Sequence, residues 1–150
     1  MARYMVLDLA GAVARVAMDF ENAPVTCRTI WDLLPHEASG GHALQSGTNC
    51  AFHFDPSVLI PEENTSWHLL KGDVAFIRND PRERYANPRG ISEVVWGHDR
   101  FCQPRVPGRM TPEYPNVFDE FTGDASAFFK ACGDTFYGGR KPVTISGLET

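Results

Sequence analysis

Two carboxylates, an amide and a hydroxyl are adjacent in the stretch Pro61-Glu62-Glu63-Asn64-Thr65, shortly before an apolar run at residues 74–77. Carboxyl groups close to an apolar interior must find hydrogen-bond partners or change their pKa, and such groups are common acid–base catalysts. In an extended chain Glu62 and Glu63 point to opposite sides, so at most one of them can face a cavity. A solvated acidic loop in which Asn64 caps a turn is the alternative.

His42 is the histidine with the clearest chemical potential. It lies in a Gly-rich segment, where backbone freedom allows a side chain to be aimed, and imidazole titrates near neutral pH. Ser46, four residues further on, offers a hydrogen-bond donor or acceptor. Because no G-x-S-x-G motif is present, we do not predict a hydrolase triad. The alternative for His42 is a surface histidine bonded to its own loop.

Aromatic and amide side chains could surround a small ligand. The candidates for the wall and its polar anchor are Trp96, Phe101, Phe118 and Asn116. Core packing is the alternative for the aromatic rings. Arg28 and Arg78 could hold a carboxylate or phosphate through paired hydrogen bonds, or could be ordinary surface charges.

Composition limits the classes of partner. The 150 residues are 43% hydrophobic and 22% charged with a net charge of −5, which predicts one domain over residues 1–150 and argues against nucleic-acid binding. No run reaches the ~20 apolar residues of a membrane span. The first residues lack the features of a signal peptide, so a cytoplasmic location is expected.

The four cysteines, Cys27, Cys50, Cys102 and Cys132, are far apart and form no C-x-x-C pair. Zinc ligands usually occur in close pairs, so we expect these cysteines to be small apolar core residues. We predict neither a metal nor a cofactor.

The apolar pattern predicts a mainly β fold. Predicted elements are a hairpin (4–9 and 13–20), a helix (24–34), strands (50–54, 58–60, 74–77, 91–96), a second helix (125–136, with Asp124 at its start and Gly133 at its end) and a closing strand (142–148). Residues 36–49 are predicted to be loop or short edge strand, and 79–89 and 98–115 to be loops. Because no β-α-β-α alternation occurs, an antiparallel sheet closed into a barrel with two helices is expected.

A series of short runs carries a family resemblance: Glu21-Asn22-Ala23-Pro24, His42-Ala43, Ser46-Gly47, residues 61–65, Gly72-Asp73, residues 93–97, Phe101, Gly108 and residues 116–118. On these runs the chain resembles the cyclophilin-like fold, and more closely a family of uncharacterised bacterial proteins with that fold. The resemblance implies an eight-stranded barrel with two helices and favours Glu63 as the pocket carboxylate. It implies no known reaction.

The chain departs from the family pattern at several positions. True cyclophilins use an arginine in a Phe-His-Arg run, whereas Phe52-His53-Phe54 stands here, so prolyl isomerase activity is a minor hypothesis. The nearer relatives resemble a Gly-Asn-His-Phe run where residues 115–118 read Pro-Asn-Val-Phe. They also tend to have tyrosine at the position of Trp96, which suggests a pocket shaped for a different ligand.

Two functions of different class follow. The first is a cofactor-independent isomerase, lyase, cyclase or hydrolase acting on a small polar metabolite. Glu63 and His42 would move protons, with Ser46, Asn64, Thr65 and Asn116 orienting the substrate around one hollow. The second is a small-molecule binding or sensing domain in which Glu63 is held by fixed donors and stays ionised. Association into a homo-oligomer through loops 79–89 and 103–107 is a weaker hypothesis.

Overall fold

The computed structural model describes residues 1–44, 46–55, 57–78, 91–105 and 111–150. Within these residues eight strands and two helices follow one another: β1 (Arg3–Leu9), β2 (Ala12–Met18), α1 (Pro24–Asp32), β3 (His36–His42), β4 (Gly47–Phe54), β5 (Asp73–Ile77), β6 (Ser92–Cys102), β7 (Asn116–Thr122), α2 (Ser126–Gly138) and β8 (Lys141–Glu149). The predicted mainly β fold with two helices is confirmed.

The strands form a closed antiparallel barrel in the order β1-β2-β7-β5-β6-β4-β3-β8. β8 pairs with both β1 and β3, which closes the sheet. In this order β3 and β7 are separated by three strands whichever way the barrel is followed. Side chains on those two strands therefore start from opposite walls.

The hairpin between β1 and β2 turns through Ala10 and Gly11, whose φ angles are 49° and 98°. Two consecutive positive φ values suit the tight turns that match the twist of the flanking strands. The Gly11 N–H donates to Asp8 Oδ1 at 2.7 Å. This hairpin was predicted from the sequence, and its boundaries differ by two residues or fewer.

The barrel interior is filled by large apolar side chains. Trp96 lies between Phe52 and Phe128, with ring centroids 6.1 and 5.9 Å away. Phe76 and Phe118 are also fully buried in the same core. An eight-stranded barrel is just wide enough for its interior to be filled by side chains.

Helix α2 packs on the barrel with Phe128 and Cys132 buried in the core. It was predicted to end at Gly133 but continues to Gly138. A Cβ at Gly133 would lie 3.7 Å from His98 Cε1, so the glycine lies on a contact between helix and barrel. The glycine therefore serves the packing of the helix rather than its termination.

Several sequence predictions about strands were wrong. Residues 36–49 were predicted to be loop or short edge strand because they are rich in Gly and Ser. Instead β3 pairs with both β8 and β4 and is not an edge strand, since tertiary pairing often overrides β propensity. β6 continues through Gly97 to Cys102 and so occupies the start of the predicted loop 98–115. β7 directly follows that loop and was not predicted. Residues 58–60 form no strand. The predicted loop 79–89 lies outside the described residues.

The segment 61–72 crosses the outer face of the barrel. Thr65 forms a bridge with Asn116, and Leu69 with Cys102. Leu69 and Cys102 are buried against Val95 in a second, smaller apolar cluster outside the barrel. The acidic stretch is therefore attached to the barrel on both sides.

Candidate functional site

Glu63 binds the first turn of α1. The Val25 N–H donates to its Oε1 at 3.1 Å, and the Thr26 N–H and Thr26 hydroxyl both donate to Oε2 at 2.8 Å. Because α1 begins at Pro24 and no side chain of its own caps it, Glu63 supplies the missing acceptor and places a negative charge at the positive end of the helix.

These hydrogen bonds fix the charge state of Glu63. Its partial burial raises its pKa, but the donors of Thr26 and Val25 outweigh that effect and hold the pKa below the usual value. A general base near neutral pH needs a raised pKa instead. The geometry is that required by the binding hypothesis, in which fixed donors keep Glu63 ionised.

Asn116 joins the acidic segment to α1 and β7. Its Oδ1 accepts from the Glu63 N–H at 3.1 Å, while its Nδ2 donates to Thr26 Oγ1 at 3.1 Å and to the Pro61 carbonyl at 2.9 Å. Asn116 is fully buried, and both its amide oxygen and its amide nitrogen are engaged in these hydrogen bonds. Asn116 therefore acts as a clamp rather than a ligand anchor.

Asn64 and Thr65 continue this attachment. Asn64 adopts a φ of 46° and its Nδ2 donates to the Val117 carbonyl at 2.9 Å. Thr65 is bridged to Asn116 and its hydroxyl lies 3.5 Å from Glu62 Oε1. Of the predicted site residues, the structure brings Glu63, Asn64, Thr65 and Asn116 together, in a framework role.

His42 lies elsewhere. Its Nδ1 is 2.7 Å from the Ala43 carbonyl and its Nε2 is 2.8 Å from His98 Nε2. A carbonyl only accepts, so Nδ1 carries a proton. In the neutral ring Nε2 then accepts from His98. Both ring nitrogens of His42 are therefore engaged in hydrogen bonds. The pKa of His98 is lowered, mainly by its burial and to a smaller extent by the neighbouring His42.

The structure does not bring His42 and Glu63 around one hollow. His42 lies on β3, whereas the Glu63 backbone is bound to Asn116 on β7, on the opposite wall. The space between them contains the aromatic core. Trp96 and Phe118 are 0% exposed and belong to that core, so the alternative of core packing applies to both.

The remaining predicted binding residues are dispersed. Phe101 is 46% exposed and lies 6.4 Å from the His68 ring. Arg28 is exposed on α1, and Arg78 is half-buried directly after β5. Ser46 lies beside a depression on the outside of the barrel that also includes His42.

That depression, the outer groove, has a volume of about 220 Å³ on strands β3, β4, β5 and β6. Its apolar floor consists of Ala51, Ile77 and Val95, which alternate with core residues and so face outward. Its polar rim consists of Ser46, Asn49, His53, Glu93, Arg105 and Arg140. Most of these side chains were not singled out from the sequence. His42 also borders the groove, but it is in register with the core residue Cys50, and its ring packs against His98 and Phe136.

His53 and Glu93 face each other across β4 and β6, and His53 Nε2 lies 2.8 Å from Glu93 Oε1. A carboxylate accepts, so Nε2 carries the proton and the other ring nitrogen, Nδ1, can accept one. Both side chains are about one-quarter exposed, at 27% and 22%. The pair has the composition of an acid–base dyad at the edge of a groove.

Asn49 adds an unsatisfied acceptor. The residue is only 3% exposed, and its Oδ1 has no hydrogen-bond partner among the described residues. Buried polar atoms are nearly always satisfied, so an orphan acceptor in the lining of a groove marks a position for a donor from outside. Arg140, whose Nε donates to Ser39 Oγ at 3.0 Å, contributes positive charge to the same rim.

The sequence contained a weak signal for this site. His53 and Glu93 are polar and are flanked by the apolar core residues Phe52, Phe54 and Val94, which places them on the outer face. Nothing in one sequence indicates that β4 and β6 are neighbours with these two residues in register. Pairing of non-consecutive strands creates the site.

The family model described as "Protein of unknown function (DUF3830)" matches residues 5–147. The chain belongs to this family. Among curated proteins none matches this DUF3830 chain. The match covers both helices, six strands in full, and most of β1 and β8.

Solved structures share the fold of this DUF3830 protein. One is described as the structure of McbB in complex with tryptophan, with a TM-score of 0.65 and 15% identity over 95% of this chain. The chain spans 44% of the length of McbB. Another is the solution structure of the hypothetical protein AF2241 from Archaeoglobus fulgidus, with a TM-score of 0.61, 18% identity, and 97% and 93% of the two chains covered.

These likenesses support a common barrel fold. They do not test the cyclophilin-like label or the bacterial origin that the resemblance suggested, and both stay predictions. Within the described residues of this DUF3830 protein, no cluster of three or more His, Cys, Asp or Glu side chains could hold a metal ion. In the same residues no helix is long and apolar enough to cross a membrane.

The four cysteines and Asp119 are buried titratable groups. All four cysteines are buried, as predicted, and burial raises the pKa of Cys102 to about 12. Asp119 is 3% exposed, and neither of its carboxylate oxygens has a hydrogen-bond partner among the described residues. Burial and the nearby Asp19 carboxylate raise the pKa of Asp119 well above its usual value. Its cross-strand partners, Met18 and Val74, face the core.

Proposed function

We propose that this DUF3830 protein binds a small polar molecule in the outer groove. The observation that carries the proposal is the orphan Asn49 Oδ1 in a rim that also contains Arg140 and the His53–Glu93 pair. A complementary ligand would donate an N–H to Asn49 Oδ1 and place a carboxylate against the Arg140 guanidinium. The apolar floor suits the hydrocarbon part of such a ligand.

The complex of McbB with tryptophan is consistent with this ligand class, because tryptophan carries both an ammonium and a carboxylate. The proposal rests on the chemistry of the groove, since a neighbour of 15% identity shares the fold alone. A binding domain needs no free acid, which agrees with the engagement of both Glu63 oxygens.

Binding can be tested by NMR with L-alanine and L-tryptophan as probes and their C-terminal amides as controls. The free amino acids should shift the side-chain resonances of Asn49 and His53, and the amides should shift them less. N49A should weaken binding about tenfold by removing one hydrogen bond. The exposed Asn22, altered in N22A, serves as the control. Shifts confined to other faces, or equal binding to N49A, would contradict the proposal.

A second candidate is an acid–base enzyme of the isomerase or lyase type, for which the 2.8 Å contact of His53 with Glu93 is the specific support. Here His53 Nδ1 takes a proton from the carbon next to a carbonyl. The C–H electron pair forms the C=C bond of an enolate, and the carbonyl π pair moves onto the oxygen. Glu93 stabilises the imidazolium, and Arg140 holds the substrate carboxylate. Return of the proton, or loss of a leaving group, completes the step.

Pyruvate in D₂O is a suitable probe for this chemistry, because its methyl protons exchange through an enolate. We expect the protein to accelerate deuterium uptake about a hundredfold, and H53Q to return the rate to that of buffer. E93Q should retain part of the acceleration, because Nδ1 keeps its lone pair. If pyruvate binds without exchange, the binding function stands and the enzymatic one is excluded.

A further inference from the structure

β3 and β4 pair with each other only near the C-terminal end of β3. They are in register only at Gly41–Ala51 and His42–Cys50, with one more hydrogen bond from the Ala43 N–H to the Asn49 carbonyl. Beyond Gly41 the described residues 36–40 of β3 and 52–54 of β4 have no mutual pairing, although each strand stays paired to its other neighbour. The two strands thus enclose a wedge-shaped opening, the β3–β4 gap.

The register determines which backbone groups point into this gap. Alternate residues of a central antiparallel strand direct both the N–H and the C=O to the same neighbour. Because Ala43 bonds to β4, Glu37 and Ser39 also face β4. By the same alternation His53 faces β3, because Asn49, four residues earlier, does so.

The opposite side of β3 gives the same assignment independently. The Pro142 carbonyl of β8 accepts from the Ala10 N–H, so Pro142 faces away from β3. Its partner in register, Ser39, must therefore face away from β8 and towards the gap. The Ser39 carbonyl accepts a hydrogen bond from Arg140 Nη2, which reaches it from the gap side.

The gap is a depression with a positive charge at one end and negative charges at the other. Its volume is about 500 Å³, and its lining includes Glu37, Ser39, His53, Asp55 and Arg140. Two of the three guanidinium nitrogens of Arg140 bind Ser39, and the third, Nη1, lies beside Gly41 at the closed end. Glu37 and Asp55 carry negative charge at the open end. Inside, His36 Nε2 is buried with no partner among the described residues.

We propose that the β3–β4 gap binds a short unblocked peptide of two or three residues in an extended conformation. Its amides would pair with the backbone of Glu37, Ser39 and His53, as when a strand is added to an open sheet edge. Its carboxylate would lie at Arg140 and its ammonium at Glu37 and Asp55. A tripeptide spans about 10 Å, close to the rise of three residues along β3.

This site goes beyond the outer groove. His53 and Arg140 belong to both cavities, but Asn49 and Glu93 belong to the groove alone. Peptide binding in the gap therefore needs neither Asn49 nor Glu93. N49A, which weakens ligand binding in the groove and alters no side chain that lines the gap, is the variant that separates failure of the groove from failure of the gap.

Hydrogen exchange followed by NMR tests the gap first in the free protein. The amides of Ser39 and His53 should exchange at least about tenfold faster than those of Gly41 and Ala51, which are paired across the strands. Ala38 and Gly40, which face β8, provide slow reference amides on the same strand. Equal protection of Ser39 and Gly41 would mean that the strands pair in solution, which overturns the proposal.

The second measurement adds trialanine, its N-acetyl form and its C-terminal amide. Trialanine should slow exchange at Ser39 and His53 about fivefold or more, and each blocked form should do so less. R140Q should remove the preference for the free carboxylate. E37Q should weaken the preference for the free ammonium, because Asp55 remains. N49A should leave the protection unchanged. No protection by trialanine, or equal protection by all three peptides, would overturn the proposal.

Discussion

Glu63 and Thr26 are joined by two hydrogen bonds of 2.8 Å that converge on one carboxylate oxygen. Thr26 is buried in the first turn of α1, whereas Glu63 belongs to the segment that crosses the outside of the barrel. The contact therefore fixes both the helix start and the crossing segment. It accounts for the density of polar residues at 61–65 without any catalytic role.

Glu63→Gln should lower the free energy of unfolding by about 1–2 kcal/mol, because an amide can accept fewer of the three donors and carries no charge for the helix end. Urea denaturation at pH 7 measures this loss. The adjacent Glu62→Gln, at an exposed position, is the matched control and should be near neutral. Ligand binding in the outer groove should be the same for both variants.

The same contact predicts a pH dependence. The folded pKa of Glu63 is lowered, so its stabilisation is fully present above the unfolded pKa and is lost as pH falls through the folded pKa. The wild type should therefore lose more stability on acidification below about pH 4.5 than Glu63→Gln does. An identical acid slope for the two proteins would contradict the assignment of Glu63 as a bonded carboxylate.

The sequence sufficed for the barrel but not for its sites. Alternation of Ala14, Val16 and Met18 with outward residues identifies β2 from local pattern alone. β3 could not be found in this way, because its strand form depends on β8, about one hundred residues later. Local periodicity reports a burial pattern, whereas pairing partners are a property of the whole fold.

The site residues show the same limit. Polar density correctly indicated that Glu63 needs partners, but its partner Thr26 is 37 residues away and unremarkable in sequence. In the sequence His53 stands out only as part of the run Phe52-His53-Phe54, which departs from the cyclophilin pattern. Its pairing with Glu93 arises from the register of β4 and β6, which no short motif reports.

Asp119 should make the protein less stable as pH rises. Its folded pKa is raised, so the folded state holds a proton that the unfolded chain releases, and stability falls by up to about 1.4 kcal/mol per pH unit above pH 4. Asp119→Asn should flatten this decline and raise the melting temperature at pH 8. Glu120→Gln, on the exposed neighbouring position, should change neither. A wild-type stability that does not fall relative to Asp119→Asn between pH 5 and 8 would count against a protonated Asp119.

The His42–His98 contact predicts an opposite dependence in the acid range. The folded pKa of His98 is lowered by burial and by His42, with Lys71 acting in the same direction and Asp99 against it. The unfolded chain therefore binds a proton before the folded one does, and stability falls as pH drops below about 6.5. Two protonated rings cannot keep a 2.8 Å nitrogen–nitrogen contact.

His98→Gln should reduce that loss, measured as the difference in unfolding free energy between pH 7 and 5.5. His68→Gln, an exposed histidine beside Trp67 and Phe101, is the control and should keep the wild-type slope. Because Phe136 of α2 packs edge-on against His42 at 5.0 Å, the region that loosens first in acid should be the end of α2. Hydrogen exchange that is fastest elsewhere in the fold would contradict this.

Gly47 has a packing role that can be separated from its backbone conformation. Its φ is 92°, and a Cβ there would lie 2.2 Å from the Phe101 carbonyl oxygen, closer than any real contact. Gly123 also has a positive φ, of 69°, but a Cβ at that position would meet nothing within 4 Å. Gly123→Ala therefore reports backbone strain alone, of about 1 kcal/mol, whereas Gly47→Ala must also push β4 away from β6 and should cost about 3 kcal/mol or more.

Because Ser46 lies on the rim of the outer groove, Gly47→Ala should also weaken amino-acid binding there, while Gly123→Ala leaves it intact. Equal unfolding free energies for the two variants would mean that β4 and β6 are not in close contact at Gly47.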